Sequence, residues 1–180
     1  MNKIKVALIY KSDNPFQLGI HHDNTYYHFF MDALPRNPFL EITNIPTDEI
    51  FDASVLKNKF DIILLWSNHL WGMPKEIIGL PDLDIPVIAR AADPGDQKEA
   101  ILNHEKWKID YYFHFMPESY FHEMYKKSFK FKNIIFGLEP SLYENMKPFK
   151  NRIKNRILNT GACGSNKITN KIYWFLRDRT

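Results

Sequence analysis

The segment from Ile109 to Phe136 constrains the fold of this chain more than any other. It opens with a short apolar run, Ile109 to Phe115. Pro117 and Glu118 then start a helical stretch, and a second apolar run, Asn133 to Phe136, leads into Gly137 and Pro140. A strand, a crossover helix and a second strand divided by turn residues form a βαβ unit, from which parallel sheets are built.

The rest of the chain repeats this alternation. Lys3 to Tyr10 is rich in Ile, Val and Leu with little alternation, as in a central strand covered on both faces. A weaker strand is expected at Phe39 to Ile45, a strong buried one at Phe60 to Trp66 and a fourth at Asp84 to Arg90. Helices are expected from Asp23 to Leu34, after a Thr47 cap, at Pro74, and from Gln97 to Trp107. Alternating strands and helices predict an α/β, three-layer Rossmann-like domain with a mostly parallel sheet. Ligands in such folds bind outside the carboxyl ends of the strands, which selects the loops Lys11–His22, Ser67–Gly72, 91–96 and 114–118.

The 180 residues suit one domain with a remainder. Residues 1–146 form the expected Rossmann-like domain. Residues 147–180 are expected to be a linker with the first strand and helix of a further domain, or an extension packing on the first. The single cysteine, Cys163, excludes a disulfide framework or a cysteine zinc site within one chain and points to a reducing, cytoplasmic setting. No apolar run approaches the ~18 residues that span a bilayer. The net charge of +3 is uneven: Lys147 to Thr180 holds nine Lys and Arg against one acid, whereas the preceding residues hold 15 basic and 20 acidic side chains. That basic segment suggests an anionic partner, such as a nucleotide diphosphate or the inner face of a membrane, or else a solvated face. Nucleic acid has no other support.

Several residues in the selected loops carry polar chemistry. Asp93, in a Pro-Gly turn after a core strand, reads either as a crevice carboxylate acting as base or hydroxyl acceptor, or as a turn residue bonding its own backbone. His21 is an acid–base candidate, with an incidental loop histidine as the alternative. Asp13, Asn14 and His22 share its loop. Asn68 and His69, flanked by Trp66 and Trp71, could bind a sugar's hydroxyls and apolar face, or the tryptophans could be core anchors. His114 and Glu118 could face the crevice, and His114 could equally be a core histidine. The turn Gly161, Gly164, Ser165 between a strand and a helix could present N–H groups to a phosphate. No full dinucleotide fingerprint, P-loop, nucleophile elbow or HExxH motif occurs, and no metal is expected.

Taken in order, these pieces resemble glycosyltransferases of the two-domain GT-B fold, family-4-type and akin to a spore-coat-and-capsule subgroup. The loop Phe136-Gly137-Leu138-Glu139-Pro140 resembles the "apolar-Gly-apolar-acid-Pro" loop closing their first domain. Ile85 to Asp93 resembles their strand ending in a cleft-facing Asp. Arg156-Ile157-Leu158-Asn159-Thr160-Gly161 resembles the start of their nucleotide-sugar domain, and Tyr173-Trp174-Phe175-Leu176-Arg177 resembles a helix of the subgroup, without its proline. The resemblance implies an acceptor-binding domain of an enzyme that moves a sugar from a nucleotide-diphosphate sugar to an acceptor hydroxyl, in polysaccharide or glycoconjugate assembly. No covalent cofactor or metal is implied. Asp13, Asn14, His22, Asn68, His69, His114 and Glu118 would lie on the acceptor side, Asp93 and His21 would be catalytic, and Gly161, Gly164 and Ser165 would hold the donor phosphate. The carboxylates that hold the donor in that family belong to a second domain, of which residues 147–180 would be only the start, so the resemblance implies either a truncated form of such an enzyme or a chain that works with a separate donor-domain partner. The alternative is a non-catalytic Rossmann-like binding or interaction module.

Overall fold

The structure, a computed structural model, describes residues 2–13, 31, 33–70, 72–92, 97–126 and 128–134. All of them belong to the compact unit Met1–Pro140. The elements in order are β1 (Ile4–Lys11), β2 (Leu40–Thr47), β3 (Ile50–Asp52), β4 (Ile62–Leu65), β5 (Glu76–Ile78), β6 (Val87–Arg90), α1 (Gln97–Trp107), β7 (Tyr111–His114), α2 (Glu118–Tyr125) and β8 (Phe131–Asn133). Six strands form one parallel sheet in the order β2-β1-β4-β6-β7-β8, while β3 and β5 pair separately. The fold is α/β with a parallel sheet, as the sequence predicts.

The alternation along β1 separates the two faces. Ala7 and Ile9 join the larger core with Ile63, Leu65, Val87, Ala89 and Tyr112. Val6 and Leu8 point the other way, with Leu64, toward Met31 and Leu34. The larger core is closed by Ala53 and Leu56, Ile77 and Leu80, Ala100 and Trp107, and Phe121 and Tyr125. These residues come from the four connections that follow β2, β4, β6 and β7. The chain thus winds from β1 outward to β2 on one face, then returns past β1 and builds the rest of the sheet on the other. Numbering only the main-sheet strands gives the order 2-1-3-4-5-6, the flavodoxin-like arrangement rather than the 3-2-1-4-5-6 order of dinucleotide-binding folds.

Two expected helices are absent. Thr47 caps none: its hydroxyl donates to the Tyr10 carbonyl at 2.9 Å, and the chain continues into β3. Asp52 then caps a single 3-10 turn, Ala53–Leu56, by accepting from the Ser54 N–H. Pro74 starts no helix either. β5 follows it, and Gly79 turns the chain with φ +71° into the 3-10 turn Leu80–Asp82. In both cases the pairing of β3 with β5 outweighs a local helix signal. Among the described residues the last strand is Phe131–Asn133, which starts two residues before the expected Asn133–Phe136 and is anchored by Phe131 stacking on Phe121 of α2 with ring centroids 4.1 Å apart; residues 135 and 136 lie outside the described residues. The expected helix Asp23 to Leu34 lies outside the described residues except for Met31 and Ala33, which are helical, and Leu34, which starts the 3-10 turn Leu34–Arg36. The strand and helix expected within residues 147–180 also lie outside the described residues. No helix among the described residues is long and apolar enough to cross a membrane.

Candidate functional site

The direction of winding reverses between β1 and β4. At such a switch point the connections leave the two strands toward opposite faces, opening a crevice outside their carboxyl ends. Lys11 ends β1 there and Ser12 and Asp13 follow it, Trp66 to Leu70 follow β4, and Ala91 and Ala92 follow β6. Backbone bonds tie these ends together: Lys11 N–H donates to the Gly72 carbonyl at 2.9 Å, and Asn68 N–H to the Arg90 carbonyl at 3.1 Å.

The central pair is His69 and Glu99. The imidazole Nε2 lies 3.1 Å from Glu99 Oε2, and the other carboxylate oxygen accepts the Leu70 N–H at 2.8 Å. Glu99 reaches this loop because it sits in the first turn of α1, directly after the β6 connection. Its side chain is 36% exposed and that of His69 13%. With His69 neutral, the carboxylate selects the tautomer carrying hydrogen on Nε2. The pair therefore offers an oriented imidazole and a carboxylate to a hydroxyl-bearing ligand.

At the carboxyl end of β1, Lys11 bridges Glu49 at 2.5 Å and Asp13 at 3.4 Å. The bond to Glu49 is the largest influence and raises its ammonium above the usual lysine range; burial opposes it, and the bond and charge of Asp13 reinforce it. Beneath the loops runs a buried polar layer. Arg90 donates from Nε to the Trp66 carbonyl at 3.1 Å and lies 4.8 Å over the Trp66 ring. The Tyr112 hydroxyl lies 2.9 Å from His104 Nδ1. Burial drives the Tyr112 phenol far above the ordinary tyrosine range. The Asn68 amide opposes this weakly, lying near the hydroxyl but outside the geometry of a regular hydrogen bond.

Of the residues selected from the sequence, the structure brings Asp13, Asn68 and His69 to this edge. Asp13 is exposed. Asn68 is fully buried and its amide oxygen accepts the Ala92 N–H, so it shapes the loop rather than meeting a ligand. Trp66 is a core anchor, 1% exposed. His114 ends β7 and is also 1% exposed, with Nδ1 accepting the Met116 N–H at 3.3 Å, so the core alternative holds for it. Glu118 is exposed in the first turn of α2. Asn14, His21, His22, Asp93, Gly161, Gly164 and Ser165 lie outside the described residues. Glu99 was not selected, although an acid in the first turn of a helix after a core strand is a recognisable signal.

No cluster of three or more metal-ligating side chains occurs among the described residues. At the opposite, amino-terminal edge lies an open groove of about 840 Å³, lined by Lys3, Lys5, Lys59 and Asp61 among others. It is polar and lies away from the switch point. No protein-family model matches this chain, and no curated protein matches it.

Proposed function

We propose that this domain binds a small polyhydroxylated ligand, a saccharide acceptor, at the carboxyl edge of β1 and β4. The observation that carries the reading is the His69–Glu99 pair at the switch point. A carboxylate and an imidazole held in one orientation can accept and donate hydrogen bonds to adjacent hydroxyls without reorganising, which favours binding of a hydroxyl-rich ligand. In its fuller form the reading makes the chain the acceptor side of a GT-B-type glycosyltransferase. A nucleotide-diphosphate sugar would then be presented by a donor domain or partner chain. The basic segment 147–180 would meet a diphosphate or an anionic membrane surface.

The strand order favours a second reading. A 2-1-3-4-5-6 sheet is common to non-catalytic and nucleotide-binding α/β modules, and a binding module needs no donor domain.

A thermal-shift screen separates the two. A ligand that binds only the folded chain raises Tm. The acceptor reading predicts a rise with saccharides that His69→Ala removes while leaving the unliganded Tm within a few degrees. A rise with nucleotides alone would support the second reading. No rise with any saccharide would overturn the first.

A further inference from the structure

We infer that Asn103 of α1 is a positioning residue for the His69–Glu99 pair, acting through the Asn68 carbonyl. The inference rests on reading that pair as the ligand contact. Asn103 is 6% exposed, and its Nδ2 donates to the Asn68 carbonyl at 3.1 Å. Asn103 and Glu99 stand four residues apart, so they share one side of the helix. Together they grip three consecutive residues of the β4 loop: Asn103 holds Asn68, and Glu99 holds the His69 ring and the Leu70 N–H.

Asn68 carries this grip across the site. It is 0% exposed, its N–H donates to the Arg90 carbonyl at 3.1 Å, and its Oδ1 accepts from Ala92 N–H at 2.7 Å. One buried residue thus fixes the β4 loop against β6, against the start of the next loop, and against α1. A buried amide is costly unless it is bonded, and both buried asparagines direct bonds at backbone groups of the crevice loops. An apolar residue at position 103 would fill the space. It would leave the carbonyl preceding His69 without its helix anchor, and the imidazole would lose its fixed approach to Glu99.

The test uses the full chain with Asn103→Asp, which keeps the shape but turns an acceptor toward the Asn68 carbonyl. Asn103→Ala is read in the same assays, and alone if the first variant does not fold. Without ligand, nitrogen-15 spectra of the His69 ring are expected to lose the signature of an Nε2–H bonded to a carboxylate. Saccharide affinity is expected to fall about tenfold, equivalent to roughly 1.4 kcal/mol. Adding the Asn103 substitution to Glu99→Gln is expected to weaken binding little beyond Glu99→Gln alone, since both act on one unit. Reduced stability with an unchanged His69 spectrum would overturn the inference, as would fully additive losses of affinity. If the wild-type chain binds no saccharide, the functional reading fails, while the ring spectrum still decides the role of Asn103.

Discussion

Alkaline pH should destabilise this protein through one buried phenol. Tyr112 is 1% exposed, and its hydroxyl meets His104 Nδ1 at 2.9 Å. Burial keeps it neutral in the folded state far above its ordinary value of 10.0. In the unfolded chain it titrates near that ordinary value. Because the folded value is the raised one, the stability it contributes is complete below about pH 10 and is lost as pH climbs above it, by about 1.4 kcal/mol per unit. Tyr112→Phe cannot ionise, but it removes the His104 bond and costs about 1–2 kcal/mol at pH 8. The two proteins share every other titrating group, so the difference between them isolates Tyr112. Urea denaturation at pH 8 and pH 11 measures it. The wild-type advantage should shrink to near zero around pH 11. A difference that stays constant between the two pH values would show that the folded protein lets Tyr112 ionise freely, and would refute the buried placement of its hydroxyl.

Three further outcomes are expected. Trp107→Ala should cost about 3–5 kcal/mol in urea denaturation, because the ring is fully buried. Trp107→Phe should cost much less, since the indole Nε1 has no hydrogen-bond partner among the described residues and its removal frees a buried donor. Gly79→Ala should lower stability by about 1–2 kcal/mol through backbone strain at φ +71°, not through crowding, since the nearest atoms to an added Cβ lie 3.9 and 4.0 Å away. Gly79→Asn should be milder in the same assay. Lys108, which follows α1 with φ 48°, occupies a left-handed position that glycine prefers, so Lys108→Gly should raise Tm by a few degrees.

The parts of the fold that were legible in the sequence are those specified locally. β1 could be read from its unbroken run of Ile, Val, Ala and Leu, since a strand buried on both faces needs no polar alternation. α1 could be read because Ala100, Asn103 and Trp107 recur at helical spacing and all turn inward. The connections after β2 and β4 were misleading. Thr47 with Asp48 and Glu49 imitates a helix start, as Pro74 does, while the competing partner strands β3 and β5 are far apart in the sequence. The same limit applies at the site. The rule for carboxyl ends of strands selects His69 by position, but Glu99 meets it only once β6 and α1 are folded against β4. Asn68 illustrates the reverse: its polarity suggests a ligand contact, and its bonds instead go to the backbone that holds the site.

The most direct test of the account is a map of where a saccharide binds. Amide chemical-shift changes in the full chain, recorded during titration with a panel of saccharide acceptors, would show it. The account predicts that the largest changes fall on Lys11 to Asp13, Ser67 to Leu70, Ala91 and Ala92, and that Glu99→Gln suppresses them. Changes confined to the amino-terminal groove around Lys3, Lys5 and Lys59, or no saturable change with any saccharide, would contradict it.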